Sequence, residues 1–303
     1  ARATVEDTYK QIIKDLTPMA TYGQETAAKT DVDKFVAAAY LAKVYAQMED
    51  WANCEKFAAI AKMGGNDMIS EPGRSWAIKG TADILWGADV TSANSALWAS
   101  YWSHVDQFLK RGYAAGGHKK FIHNALYAKI PATDSRRKLW VNLTDYPDIA
   151  QKIKRQARNK EVEMEDFDQM KFIAGEDGME QDYCFIRVQD PILLEIEAQI
   201  EQNKLTQAAA NLNAFAQKRD PAFVAATTQA DLREQVRFQR RIELWFEGTN
   251  WFDMKRWKLT INRDVPNTNH PVVFTMATDD NKFYHMLPIS ELESNPNLTQ
   301  NPR

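Results

Sequence analysis

Cysteine is nearly absent: the 303-residue chain holds Cys54 and Cys184 and no other. Two thiols cannot build the multi-bridge framework of a small secreted scaffold, and their spacing matches no metal site. They read as free buried thiols, with a single bridge the alternative in an oxidising compartment. Histidine is scarce as well, and none of His104, His118, His123, His270 and His285 falls into an H-E-x-x-H pattern. No apolar run approaches the roughly 18 residues of a membrane-spanning helix. An excess of one charge is missing too. The 38 basic residues stand against 41 acidic ones, net −3, so no global field favours nucleic acid or an anionic membrane. The chain has no G-x-G-x-x-G, no Walker loop and no G-x-S-x-G elbow, which removes the usual nucleotide and serine-hydrolase signatures. Ser135-Arg136-Arg137-Lys138 matches S-x-x-K in form but lacks the partner motifs that give it meaning. No catalytic constellation, metal site or cofactor is expected.

What the chain does have is aromatic side chains, 11% of residues with nine Trp, and long stretches of helical periodicity. Over 4–17, Val5, Tyr9, Ile12, Ile13 and Leu16 recur at helical spacing. Thr4 is placed to cap this helix, with Asp7 three residues on, and Pro18 falls near its end. Residues 31–63 read as a helix hairpin, with Asp33 at the first cap, Glu49-Asp50-Trp51 at the turn and Gly64-Gly65 at the end. A second hairpin lies at 189–219, with Pro191 near its start and Asn203 at its turn. Alanines where helices cross, with aromatics filling the next layer, follow the logic of tetratricopeptide-type repeats. The two units are far apart in sequence, which speaks against a continuous solenoid.

Residues 66–150 are less periodic and form an aromatic, loop-rich insertion within what reads as one domain over 1–303. A basic run and then an acidic run over 151–168 read as a solvated loop or helix face. Short β-like pieces fall at 272–276 and 283–287. Over 229–257 a helix ends at Gly248 and a second short helix follows. Here Arg240, Arg241, Glu243, Glu247, Asp253 and Arg256 alternate with Leu244, Trp245, Phe246, Trp251, Phe252 and Trp257. Charges interleaved with large apolar groups are partly buried, and buried charges must be paired. The expectation is a polar network that locks the helix corner, with Arg240 facing Glu243 and Asp253 facing Arg256. A cationic ligand site is the alternative.

This corner resembles the SusD/RagB family, whose members carry R-R-x-E-L-x-x-E-G followed by D-(L/M)-x-R-W. Arg240, Arg241, Glu243, Leu244, Glu247, Gly248, Asp253, Met254, Arg256 and Trp257 match position by position. Tyr127 to Trp140 resembles the family's L-Y-x-K-I-P-x-T-D-x-R-R segment. The stretch from Asp182 to Ala198 resembles its R-x-x-E-x-x-L-I-x-A-E-A repeat, with Asp190-Pro191 replacing a more helical pair, so that this helix is expected to start later. Ile84-Leu85-Trp86-Gly87 and the end from Leu287 to Pro302 also agree. The resemblance implies a mostly α-helical, SusD-like fold with tetratricopeptide-type hairpins and irregular segments. It implies a non-catalytic lipoprotein on the outer face of the outer membrane that binds glycan or a related nutrient and closes over a SusC-type TonB-dependent transporter. Members begin with a signal peptide, a lipid-carrying cysteine and further helices. None of these is in the sequence, which reads as lacking upstream residues. Membrane attachment is therefore expected only through a lipid anchor outside this chain.

Ligand residues are not transferable by motif, so the site is read from the aromatics. Sugar rings have apolar faces that stack on Trp and Tyr, and polar rims that bond to amides and charges. Trp76, Trp86, Trp98, Tyr101 and Trp102 crowd a Gly/Ser/Asn-rich stretch and are the expected stacking platform. Trp76 and Trp86, beside polar or glycine neighbours, are expected to be the more exposed. Trp98, Tyr101 and Trp102 share one face if helical. A tetratricopeptide-type scaffold for protein partners is the second functional reading and a glycosidase the third. No nucleic-acid partner is expected.

Overall fold

The computed structural model describes residues 3–95, 100–110, 112–148, 153–158, 160–173 and 180–302. Among these, the helices in chain order are α1 (Val5–Tyr22), α2 (Lys34–Gln47), α3 (Trp51–Ala61), α4 (Tyr101–Val105), α5 (Asn124–Tyr127), α6 (Gln189–Glu201), α7 (Leu205–Ala216), α8 (Gln229–Glu243), α9 (Asn250–Arg256) and α10 (Ile289–Ser294). Short strands form antiparallel pairs: β1 (Ile84–Ala88) with β4 (Tyr183–Arg187), β2 (Lys154–Ala157) with β3 (Lys160–Glu163), and β5 (Ile261–Asn262) with β6 (Thr275–Met276). The fold is mostly helical. None of its described helices is long and apolar enough to cross a membrane.

The helices start where side chains can satisfy their first backbone N–H groups. Thr4 Oγ1 accepts from Asp7 N, Asp33 Oδ1 accepts from Phe35 N and Val36 N, Asp50 accepts from Asn53 N, and Thr228 accepts from Asp231 N. The α2–α3 turn passes through Glu49 and the α6–α7 turn through Asn203, both in the left-handed region. Alanines at 37, 38, 39, 42 and 46 of α2 are fully buried in a core that also holds Ala58 and Ala61 of α3, and their lack of bulk lets neighbouring helices approach. The two hairpins, distant in sequence, meet in space. Leu194 and Ala198 of α6 join the α2–α3 core, while Leu193, Ile196 and Ile200 on its other side pack with Leu212 and Phe215 of α7 and with Leu232 and Val236 of α8. α6 is thus a central helix between two apolar layers.

Four local expectations give way. α1 does not end near Pro18 but runs through it to Tyr22, because only one N–H donor is lost and Ile13, Leu16 and Ala20 still dock on the α2 core. Pro191 does not delay α6, because it lies in the first turn, where its missing donor has no intrahelical partner anyway. The charged run folds as the β2–β3 hairpin, turned by Arg158 at φ 49° and pairing Lys154 with Glu163 across the strands. Residues 283–287 are not a strand: a 3₁₀ turn over Asn281–Phe283 buries Phe283 there instead.

The irregular segments are tied to the helices by buried charge. Glu243, the last residue of α8, is fully buried, and its carboxylate faces Arg136, Arg187 and Arg219 at 3.2, 3.4 and 2.7 Å. Ser70 also donates to it. Those arginines in turn reach Asp134, Asp83 and Asp67. Arg240, one turn earlier, joins a separate network. It bonds Asp190 and Asp253 at 2.9 Å each, and Asp253 and Glu197 share Arg256. The corner is therefore locked by charge, but the expected Arg240–Glu243 pair is replaced by longer-range partners. Each of the two residues faces opposite charges from other elements, and those satisfy it more completely than a neighbour on its own helix. The Asp253–Arg256 pair forms as expected, at 2.8 Å.

Replacing Glu243 by Gln should destabilise the protein by about 3–5 kcal/mol, because three buried guanidiniums lose their shared counter-charge. Glu163→Gln, on an exposed pair, should cost under about 1 kcal/mol. Equal denaturant midpoints for the two variants would refute the hub role. Asp190 supplies a pH test. Burial opposes its ionisation, yet the charges of Lys43 and Arg240 outweigh that cost and hold its carboxyl down to about 2. Its contribution is therefore present above the unfolded-state value of about 3.9 and is lost as pH falls toward 2. Asp190→Asn should flatten that part of an acid-denaturation curve, and an unchanged slope would count against the pairing.

Candidate functional site

The corner after α8 creates the site. Leu244 closes the helix, Phe246 (φ 64°) and Gly248 (φ 78°) take left-handed backbone, and α9 departs in a new direction. Only glycine adopts such backbone without steric cost, so Phe246 is held there by its surroundings. Glu247 anchors the bend from below. It bonds Arg187 and Lys171, and Lys171 Nζ also donates to the carbonyls of Glu243 and Trp245 at 2.7 and 3.1 Å. Burial brings the Lys171 ammonium down to about 8 despite that carboxylate.

Above this anchor lies a cavity of about 910 Å³. Its apolar wall includes Tyr101, Phe121, Phe185, Trp245, Phe246 and Trp251. Phe185 and Phe246, 44% and 38% exposed, sit at the solvent side. The same lining carries a set of cationic groups, Lys119, Lys120, Arg241 and Arg263, with His123 and His270. Burial lowers the proton affinity of Lys120, Arg241 and Arg263, and the charge of Arg263 lowers that of Arg241 further. His123 is also pulled down, by burial first and then by Arg263, His270 and Arg241. The loop that brings Arg263 and His270 here is pinned to α5. Asn124 donates to the Asn267 carbonyl at 2.6 Å, Asn269 donates to the Ile122 carbonyl at 2.9 Å, and His123 Nε2 lies 3.2 Å from Thr268 Oγ1.

The expected platform residues fall in different places. Trp76, Tyr101 and Trp102 are brought together in the cavity lining, but Trp76 and Trp102 are not open stacking surfaces. Trp76 is 2% exposed, stacked on Phe172 at 4.8 Å with the Arg74 guanidinium 4.5 Å from its ring, and its indole N–H donates to the Lys171 carbonyl. This reverses its expected exposure: in a stretch without regular structure, the large ring supplies the core itself. Trp102, also 2% exposed, donates to the Asp182 carbonyl and packs edge-on to Trp76 and Phe172. Tyr101 is half-buried, and its hydroxyl donates to the Phe246 carbonyl. Trp86 lies outside the cavity lining, wedged between Tyr40 and Phe185. Trp98 lies outside the described residues. Arg241, assigned by sequence to the polar network, has no ion pair among the described residues and lines the cavity, with its buried Nε unbonded. Phe121, Phe185, Lys120, Arg263 and His270 carried no sequence signal, because they converge from three segments far apart in the chain: Lys120-Phe121, Phe185 and the loop holding Arg263 and His270.

These features define a helical, tetratricopeptide-type protein with a large aromatic and cationic cavity beside a charge-locked helix corner. Within that class, the chain belongs to the SusD family, whose model matches residues 116–303. It is similar to a SusD-like carbohydrate binding protein from Bacteroides vulgatus, with TM-score 0.77 and 20% identity over 98% of this chain and 66% of that one. It is also similar to SusD superfamily proteins from Bacteroides thetaiotaomicron (0.75, 19%, 100% and 67%) and Parabacteroides distasonis (0.73, 19%, 99% and 69%). These likenesses establish the fold, and the chain spans about two thirds of the length of those structures. No curated protein matches it.

The placement of the aromatics gives a stability test. Trp76→Ala should lose about 3–5 kcal/mol, as for other buried aromatics. Phe185→Ala at the cavity mouth, which gives up an edge contact with Trp86, should lose no more than about 1.5 kcal/mol. Thermal unfolding of both variants checks this, and an unaffected Trp76→Ala protein would show that its ring is not core.

Proposed function

We propose that this chain is a non-catalytic glycan-binding protein that holds its ligand in the 910 Å³ cavity. In its full-length, lipid-anchored form it delivers that ligand to a SusC-type TonB-dependent transporter at the outer face of the outer membrane. Membership of the SusD family supports this reading, as does the similar structure described as carbohydrate binding. The observation that carries it is the make-up of the cavity: aromatic faces and hydrogen-bond donors in one lining, which match the apolar faces and polar rim of a sugar ring. We place the platform at Tyr101, Phe185, Trp245 and Phe246 rather than at Trp76 and Trp102.

Hydrolysis of a glycosidic bond by the common route needs two carboxyl groups flanking it. Among the described residues, Glu247 is the one carboxylate lining the cavity, and Arg187 and Lys171 hold it ionised against the cost of burial. Such a group is poorly suited to donating a proton, which favours capture over turnover.

Isothermal titration with a panel of polysaccharides, run beside a reducing-sugar assay, tests the proposal. Binding without product release is expected. Phe185→Ala and Phe246→Ala should each weaken it about tenfold, given that ring stacking contributes roughly 1–3 kcal/mol by analogy with base stacking. Turnover abolished by a single carboxylate substitution would point to a glycosidase instead. Peptide binding with no response to any glycan would point to a scaffold.

A further inference from the structure

Buried arginines in this fold are paired. Arg136, Arg187, Arg219, Arg240 and Arg256 each face at least one carboxylate. The cavity breaks that pattern. Its carboxylate, Glu247, is already held by Lys171 and Arg187, and Lys119 is matched by Glu165 and Asp168. Lys120, Arg241 and Arg263 have no carboxylate partner among the described residues, and Lys120 Nζ donates only to the His118 carbonyl. The contrast is sharpest within α8. Arg240 is saturated by Asp190 and Asp253, while its neighbour Arg241 is left with a buried, unbonded Nε.

Burial disfavours the charge of both Arg241 and Arg263, and at Arg241 the charge of Arg263 adds repulsion that Glu234 partly offsets. The strain persists because neither residue can withdraw freely. Arg241 is fixed in the last turn of α8, and Arg263 follows β5, with its backbone N–H bonded to the Phe274 carbonyl at 2.8 Å. A guanidinium is a fork of fixed donors matched to planar or tetrahedral oxyanions, and its charge-assisted bonds are the strong ones. An anion entering the cavity would relieve the repulsion and fill the open donor positions at once.

We infer that the cavity selects an acidic glycan, an oligosaccharide bearing carboxylate or sulfate groups, with Arg241 and Arg263 as its anion-binding pair. This rests on the glycan-binding reading of the same cavity. The sugar rings lie against Phe185 and Phe246, and the acidic substituent reaches Arg241 and Arg263 in the same lining.

Titration calorimetry with three probes of equal length tests this: an oligogalacturonide, a chondroitin sulfate oligosaccharide and a neutral xylo-oligosaccharide. At least one acidic probe should bind about tenfold or more tightly than the neutral one, and should weaken as salt rises. The stronger acidic arm tells carboxylate from sulfate. Arg241→Gln and Arg263→Gln, each removing a repelled cation, should keep or raise the melting temperature and abolish the acidic preference. Arg263→Gln serves as the independent variant, because it lies outside the helix corner. Equal or tighter neutral binding, or acidic binding untouched in both variants, overturns the inference while the proposed function stands. Failure to bind any glycan overturns both.

Discussion

A single buried carboxylate organises this protein. Glu243 has no access to water, and it is surrounded by guanidiniums from the 3₁₀ turn at Ser135–Leu139, from the end of β4 and from the segment after α7. Ordering a residue of irregular backbone costs about 1–2 kcal/mol in entropy, with no ladder of hydrogen bonds to offset it. Fixed charge offsets it here. Once Glu243 is committed to the interior, each arginine must come to it, and each arginine carries its own loop into place. Removing any one partner leaves the others exposed to an unbalanced field, so the loops and the helix corner stand or fall together.

The same constraint shapes the cavity. Arg240 and Arg241 are neighbours about 100° apart around α8. One turns toward α6 and α9, where Asp190 and Asp253 wait, and the other turns toward the cavity. Adjacent residues of one type are thereby sorted into frame and site by helix geometry alone. Glu247 sits at the boundary: it braces the bend from below and presents a neutralised floor to the space above.

How legible all this was in the sequence follows from the range of each interaction. Helix periods, caps such as Asp33 and Thr4, and turns at Glu49 and Asn203 are local, and they read directly from neighbouring residues. The corner charges read as buried because Trp245, Phe246 and Trp251 interleave with them. Their partners did not, because Arg136, Arg187 and Arg219 lie 24 to 107 positions from Glu243. Trp76 shows the other limit. Its polar neighbours suggested a surface, yet Phe172, almost a hundred residues on, makes it core. Arg241 belongs with them, since nothing nearby in the sequence distinguishes it from Arg240.

The pairing of β1 with β4 has a consequence for how such a molecule can change over time. Gly87 sits opposite Cys184 and Ala88 opposite Tyr183, so the long excursion between those strands leaves and re-enters the helical frame at one point. Closing a loop costs little more as it lengthens. Residues can therefore be gained or lost within the excursion without moving the helices, provided Arg136 and Lys171 still reach Glu243. The helical frame is a fixed mount, and the excursion, which supplies Tyr101, Lys119, Lys120, Phe121 and His123 to the cavity, is the exchangeable part, free to be refitted to a new ligand while its two charged bolts stay in place.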